Sequence, residues 1–219
     1  MTINKVLDKL WQDGTEFVSL NKLKKESKEF YYNYNTMINY LTSRGFLFKI
    51  LKNTYYVKSQ DELNSSDKNM KYTSLELVSR ALKFLNVKNW YFGLYTALKI
   101  YDINPKKNSI DYLICNNTIT PYNKIKVFNR EFKIIRLKRS LFNFGIKKKP
   151  NEVKYSDLEK TILDLIYLWQ LSNTPSHKIN SEIFKYLRTC SIEKIRDYCS
   201  HYPESVQQLM DEQLLGVSS

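Results

Sequence analysis

The spacing of apolar residues along the first 60 positions predicts, in order, a helix, a short strand, two helices and a hairpin. A first amphipathic stretch ends near Gly14, and Ser19 is placed to cap a second helix after the extended pair Phe17-Val18. A third helix is expected from Tyr32 to Arg44, followed by two strand-like runs that flank the polar turn Lys52-Asn53. The inward residues of the three helices are Ile3, Val6, Leu7, Leu10, Leu20, Leu23, Met37, Ile38 and Leu41.

The remaining chain passes from helical spacing to strand-like runs and back to helices. We expect helices over 73–85 and 91–101, the second ended by Pro105. Short β-branched and aromatic runs between about 110 and 154 are typical of an antiparallel sheet, and helical spacing returns after the capping pair Ser156-Asp157. The strand-like runs are IDYLIC, KIKVF, EFKIIRL and LFNFGI, and the later helices are expected over 181–187, 192–198 and 204–215.

These patterns predict an α+β protein of two domains. Residues 1–60 have the element order of a winged helix-turn-helix, and residues 72–219 are expected to form a helix, antiparallel-sheet and helix domain. The polar stretch 61–71 lies between them and is expected to be a linker.

The charge of the chain favours a polyanionic partner. The formal net charge is +13 and the isoelectric point is about 9.4. The three cysteines lack the spacing of a zinc site or a disulfide framework, and no glycine-rich phosphate loop occurs, so neither a metal nor a cofactor is expected. The first residues lack the apolar core of a signal peptide, and no apolar run reaches the roughly 18 residues of a membrane span. We therefore expect a cytoplasmic protein.

The third predicted helix carries the polar residues suited to reading double-stranded DNA. Such a helix fits the major groove, where asparagine bonds an adenine edge and threonine contacts a thymine methyl. A site containing A·T pairs is therefore expected. The alternative is that the module contacts proteins and its lysines only solvate a surface. The predicted DNA-binding residues are Tyr32, Asn33, Asn35, Thr36 and Asn39, with Lys49, Lys52, Asn53 and Tyr55 of the hairpin for phosphate contacts. At least two of the four aromatic residues Phe30, Tyr31, Tyr32 and Tyr34 are expected in the core.

A second basic surface is expected in the segment 104–155, which holds 13 basic and three acidic residues. The run Lys147–Asn151 is either a solvated turn or a loop that contacts phosphates, RNA or an acidic partner. The candidate residues are Arg136, Lys138, Arg139, Lys147, Lys148 and Lys149.

Three further stretches carry recognisable motifs. Residues 91–98 place an aromatic-glycine segment before an Ala-Leu helix, residues 144–146 read Phe-Gly-Ile after the strand-like region, and residues 156–164 begin a helix with Ser-Asp-Leu-Glu-Lys. In order and spacing they resemble the AbiEi family, the abortive-infection type IV antitoxins, over about residues 1–170.

The resemblance implies a non-enzymatic transcriptional autorepressor that binds promoter repeats in double-stranded DNA through the winged helix. It also implies that the second domain counters a nucleotidyltransferase-type toxin, without requiring a stable complex with it. The competing interpretation is a stand-alone transcriptional regulator whose second domain dimerises or senses a ligand.

Two motif residues also invite a structural interpretation. Gly93 is expected to permit close packing or a special backbone angle, and Asp164 falls on a largely apolar helix face, where a buried carboxylate needs a partner. The candidate partners are Arg136, Lys138 and Arg139.

An enzymatic alternative rests on Asp111 in one predicted strand and Glu131 and Lys133 in another. Two carboxylates and a lysine loosely imitate a metal-dependent nuclease, in which the carboxylates hold Mg²⁺ and the lysine orients water. A lysine-rich segment also produces Glu-x-Lys by chance.

Overall fold

Helical and alternating apolar patterns build an α+β fold with two sheets. The structure, a computed structural model, describes residues 4–64, 70–103, 110–115 and 124–217. The chain forms two compact units: Met1–Lys88 with Thr118–Glu131, and Asn89–Asn117 with Phe132–Ser219. Within the described ranges, every helix is too short or too polar to cross a membrane. The predicted positions Ile3 and Pro105 lie outside the described residues.

The first unit begins with the predicted order of helix, strand, helix, helix and hairpin. Ser19 caps the second helix by accepting a hydrogen bond from the Lys22 amide at 3.2 Å. The predicted inward residues of the helices form the core, in which Leu20 and Ile38 are only partly buried. The sheet order is β1-β3-β2, with both pairs antiparallel. The elements are α1 Asn4–Gln12, β1 Phe17–Ser19, α2 Leu20–Glu29, α3 Tyr34–Ser43, β2 Leu47–Leu51 and β3 Thr54–Val57.

The predicted linker 61–71 contains part of a helix, α4 Gln60–Asn64. The Glu62 carboxylate is buried and accepts hydrogen bonds from the Tyr56 hydroxyl at 2.6 Å, the Ser59 amide at 2.9 Å and the Lys71 amide at 2.8 Å. Both ends of the stretch are therefore anchored on one side chain. Residues 65–69 lie outside the described residues.

Two segments predicted to belong to the second domain lie in the first unit. Helix α5 Ser74–Phe84 begins with a Thr73–Glu76 capping box and contacts β2 and β3. Its apolar stripe, which includes Leu77 and Val78, is buried. Strand β6 Lys124–Val127 leads into a turn where the Phe128 ring packs edge-on against Phe48, with centroids 5.3 Å apart. Helix α5 and the turn after β6 thus belong to the first unit because they pack on the apolar surface of the hairpin.

The second unit consists of helices and most of a six-stranded sheet of order β6-β7-β5-β4-β9-β8, in which β7 runs from the first unit into the second. Strand β4 pairs antiparallel with β5 but parallel with β9, with Phe92 opposite Tyr155. The prediction of a purely antiparallel sheet is therefore wrong for this pair. The elements are β4 Trp90–Phe92, α6 Leu94–Ile100, β5 Ile110–Cys115, β7 Arg130–Arg136, a 3₁₀ turn Arg139–Phe142, β8 Ile146–Lys148, β9 Lys154–Ser156, α7 Leu158–Leu171, α8 Ser176–Leu187, α9 Ile192–Cys199 and α10 Glu204–Val217.

Two local predictions in this unit are wrong. The expected helix over 91–101 starts only at Leu94, because Trp90, Tyr91 and Phe92 form the buried strand β4 and a strand covered on both faces shows no alternation. In the run LFNFGI, the first residues belong to the 3₁₀ turn and only Ile146 lies in a strand.

Gly93 ends β4 where the backbone approaches its neighbours closely. A β-carbon at this position would lie 2.9 Å from Ile114 Cγ1, while the φ angle of −127° is ordinary. Close packing rather than a special backbone angle explains the glycine.

Candidate nucleic-acid interface

Helix α3 presents a polar face to solvent. Asn35, Thr36 and Asn39 are exposed, as predicted, while Met37 and Leu41 on the opposite face are fully buried. The helix is thus fixed by its apolar side and keeps three hydrogen-bonding side chains outward.

Two of the predicted DNA-binding residues have structural roles at the start of α3. The Asn33 side chain is the N-cap and accepts a hydrogen bond from the Thr36 amide at 3.2 Å. Tyr32 is half-buried and packs against the core together with Phe30 and Tyr34. Three of the four aromatic residues thus pack against the core while staying partly exposed, whereas Tyr31 is 93% exposed.

The β2–β3 hairpin places a short polar turn beside the start of α2. Lys49, Lys52 and Asn53 are exposed, and the Asn53 carbonyl accepts a hydrogen bond from the Leu20 amide at 2.8 Å. Asn53 has a φ angle of +58°, which asparagine tolerates better than most residues. The turn is therefore held in one position relative to the first turn of α2.

Tyr55 does not belong to this exposed surface. Its side chain is 7% exposed and packs in the core of the first unit, so the prediction of a phosphate contact is wrong. Burial raises the pKa of the Tyr55 hydroxyl, and a hydrogen bond with Tyr34 offsets this in part. The physical reason is that every residue of β3 is buried, so alternation along the strand leaves no outward position.

Helix α2 carries a row of lysines that was not among the predicted DNA-binding residues. Lys24, Lys25 and Lys28 are exposed on the helix that precedes α3, and the Lys24 ammonium lies 5.5 Å from the centroid of the Tyr34 ring. Their signal was present as three outward positions of an amphipathic helix. Together with the hairpin lysines they place positive charge on α2 and on the hairpin, both of which contact α3.

Comparison with known proteins yields only structural likeness. No family model and no curated protein matches the chain. Among solved structures, the chain is similar to the RV2827C protein from Mycobacterium tuberculosis, with a TM-score of 0.57 and 13% sequence identity. The likeness covers 98% of this chain and 76% of that one. At this level of identity, it establishes the fold alone.

The predicted second basic surface divides into two groups. All six residues are exposed, but Arg136, Lys138 and Arg139 lie in and after β7, whereas Lys147 and Lys148 lie in β8 and Lys149 follows it. Three strands separate β7 from β8 in the sheet, a distance of roughly 19 Å at the usual strand spacing. In the second group, Lys148 forms an ion pair with Glu152 at 2.8 Å.

The three motif stretches meet around one buried side chain of the second unit, Lys160. The Tyr91 hydroxyl donates to Asp164 Oδ2 at 2.7 Å, and Lys160 Nζ lies 3.3 Å from Asp164 Oδ1. The Phe144 ring covers the ammonium at 4.4 Å, and the backbone of Gly145 lies directly against the lysine side chain. Tyr202, which precedes α10, donates to Asp164 Oδ1 at 2.7 Å.

This cluster corrects the predicted partners of Asp164. The carboxylate is fully buried, as expected, but its cation is Lys160 one helical turn earlier on α7, not Arg136, Lys138 or Arg139. Burial lowers the pKa of the Lys160 ammonium, and the charge of Asp164 restores it in part. Both side chains are fully enclosed, so the motifs act here as packing determinants.

The residues of the nuclease alternative have other partners. Asp111 is fully buried, accepts a hydrogen bond from Thr96 Oγ1 at 3.1 Å and lies 3.8 Å from Lys99 Nζ. Glu131 forms an ion pair with Lys124 at 2.7 Å. Within the described ranges, no three His, Cys, Asp or Glu side chains come together as a metal site requires.

Proposed function

We propose that the amino-terminal part of the first unit is a winged helix-turn-helix that binds double-stranded DNA, and that the protein represses its own operon in the cytoplasm by binding promoter repeats. The observation that carries the proposal is the exposed face Asn35-Thr36-Asn39 of α3, on a helix fixed by a buried apolar face. The exposed lysines of α2 and of the hairpin supply positive charge on the two elements that contact this helix.

The division of labour between these groups makes the proposal testable. Amide side chains on a helix in the major groove read base edges, whereas lysines bind phosphates without regard to sequence. Asn39→Ala should therefore lower the preference for the upstream region of the operon over an arbitrary duplex by about tenfold, since one bidentate contact discriminates by about 1–3 kcal/mol. Lys52→Ala should lower the affinity for both duplexes by the same factor and reduce the salt dependence of binding by about one released ion.

The measurement is a titration of labelled duplexes at several salt concentrations. Asn64→Ala and Lys5→Ala are matched controls, because each removes the same group from an exposed position of α4 or α1. Failure of the wild-type chain to bind either duplex, or loss of preference in the Asn64 control, would contradict the proposed interface.

We further propose that the second unit acts as the antitoxin that counters a nucleotidyltransferase-type toxin, without forming a stable complex. The resemblance to the AbiEi family supports this, and so does the convergence of its three stretches on Lys160. Since one buried cluster joins all three, they form a single structural unit rather than scattered similarities.

Testing this role requires the full chain. A fragment starting near residue 72 would carry α5 and β6 away from the hairpin they pack on, which exposes apolar surface. The double variant Asn39→Ala/Lys52→Ala should lose repression yet still rescue growth when the neighbouring toxin gene is expressed. If the wild-type chain fails to rescue growth, the antitoxin role is lost and the stand-alone regulator becomes the better account.

A further inference from the structure

Tyr31, in the turn between α2 and α3, occupies an unusual backbone position. It follows the C-cap Phe30 with a φ angle of +58°, its amide donates to the Lys28 carbonyl at 3.1 Å, and the Tyr32 amide donates to the Ser27 carbonyl at 2.7 Å. This pair of hydrogen bonds ends a helix with one left-handed residue, a position that favours glycine. A tyrosine there is an outlier, because its β-carbon crowds the backbone.

The other helix ends of this chain show how unusual the choice is. Six ends within the described ranges share the same two hydrogen bonds, and five of them use glycine, asparagine or aspartate at the left-handed position. The six residues are Gly14, Tyr31, Gly45, Asn86, Asp102 and Asn173. Among these six helix ends, the chain therefore places a residue other than glycine, asparagine or aspartate at the left-handed position only between α2 and α3.

Packing does not account for the tyrosine. Its side chain is 93% exposed, and in the part of the chain that the structure describes it makes no hydrogen bond, ion pair or ring contact. The neighbouring Phe30, Tyr32 and Tyr34 already fill the aromatic positions of the core. A strained, exposed aromatic residue that stabilises nothing within its own unit is suited to a contact outside it.

We infer that Tyr31 contacts the sugar-phosphate backbone of the bound DNA and positions α3 in the major groove; this inference rests on the proposed function. Tyr31 lies two residues before the N-cap of α3, and the first turn of a recognition helix is the part that enters the groove. A residue just ahead of that turn lies at the groove edge, where the backbone runs. The phenol hydroxyl donates to a phosphate oxygen and the ring covers the adjoining sugar, contacts that carry no base information.

Because the backbone at Tyr31 is strained, removing its side chain should leave the stability of the chain unchanged or higher while it lowers the affinity for DNA. Tyr31→Gly relieves the left-handed strain, so the melting temperature of the full chain should stay the same or rise. Its affinity for the upstream duplex and for an arbitrary duplex of equal length should fall by the same factor, about tenfold for one lost contact. Because tyrosine is neutral, the salt dependence should not change, unlike that of Lys52→Ala.

Two further variants separate hydroxyl, ring and backbone effects. Tyr31→Phe should bind about threefold more weakly because it keeps the ring and loses the hydrogen bond. Tyr31→Asn, a residue the chain uses at two equivalent positions, should bind as weakly as Tyr31→Gly. Asn86→Gly is the matched control, since it makes the same backbone change at the end of α5 and should leave both affinities unchanged.

Each contrary result overturns the inference in a distinguishable way. Wild-type affinity in Tyr31→Gly and Tyr31→Asn would show that the side chain does not touch DNA, while the proposed function stands. Loss on the upstream duplex alone would make it a base contact, and a lower melting temperature in both variants would make it structural. If the wild-type chain binds neither duplex, the proposed function fails and this inference fails with it.

Discussion

Removing the Asp164 carboxylate should destabilise the second unit by about 4 kcal/mol. Asp164→Ala removes the ion-pair partner of the enclosed Lys160 ammonium, which keeps only the weaker attraction of the Asp157 charge, and leaves the hydroxyls of Tyr91 and Tyr202 without their acceptor. Breaking a buried ion pair from one side costs about 3–5 kcal/mol, a large share of the 5–15 kcal/mol typical of a folded protein. The measurement is the free energy of unfolding in urea.

The double variant Lys160→Met/Asp164→Asn gives the matched comparison. It removes both charges, keeps an amide oxygen as acceptor for one tyrosine hydroxyl and offers the amide NH2 as donor to the oxygen of the other, so it should lose only about 1–2 kcal/mol. Asp197→Ala, an exposed carboxylate on α9, should change the stability by less than about 0.5 kcal/mol. A loss below about 1 kcal/mol in Asp164→Ala, or a loss in the double variant as large as in Asp164→Ala, would refute the assignment of Asp164 as the partner of Lys160.

The pH dependence of Asp164→Ala provides a second check. Burial lowers the pKa of Lys160, and loss of Asp164 lowers it further, so the folded variant releases this proton at a pH where the unfolded chain still holds it. Stability then rises with pH wherever the unfolded state binds more protons. The deficit of the variant relative to the wild type should therefore shrink with rising pH wherever the folded variant has released this proton and the folded wild type has not, by at most about 1.4 kcal/mol per pH unit.

Three further substitutions probe other parts of the fold. Gly145→Ala should cost about 2–4 kcal/mol in the same urea assay, because its β-carbon would lie 2.7 Å from Lys160 Cβ at a φ angle of +60°; a loss under about 1 kcal/mol contradicts the close approach. Burial raises the pKa of the Glu62 carboxyl, but hydrogen bonds from Tyr56, Lys71 and Ser59 outweigh it and the pKa lies below its ordinary 4.5. The stabilisation from Glu62 is complete above pH 4.5 and is lost as the pH falls through the lowered pKa, so Glu62→Gln should match the wild type only in acid. Ser19→Ala should lose about 1 kcal/mol with the α2 cap, whereas Ser19→Gly should recover most of it.

Local patterns predicted most of the helices and the capped starts at Ser19 and Asp157, because these depend on neighbours in sequence, whereas the starts of α6 and α8 and the short helix α4 were not predicted. The buried stripe of α1 and the side-chain cap at Ser19 follow from residues no more than four positions apart. Asp157 caps α7 in the same way, by accepting from the Lys160 amide at 3.0 Å. Such contacts can be predicted from the sequence alone.

Long-range covering of strands was not predictable from these patterns. The strand Trp90–Phe92 is buried on both faces by partners far away in sequence, so its aromatic run looks like part of a helix. Tyr55 is buried because its face of β3 packs on the core formed with α1, α2 and α3, whereas the α5 contact with β3 explains only why α5 belongs to the first unit.

The Lys160–Asp164 pair was predictable from the sequence. The two residues are four positions apart on one helix, the spacing at which side chains meet. The pair was overlooked because a lysine in a charged first turn is usually solvated, and only the aromatic residues from other stretches show that this one is enclosed.

Because Lys160 is enclosed, its chemical modification also measures local opening of the second unit. An amine-reactive reagent modifies exposed lysines at once, but it reaches this ammonium only when α7 separates from the rings that cover it. The labelling rate at this single position, followed by peptide mass spectrometry, therefore measures the free energy of opening of the second unit.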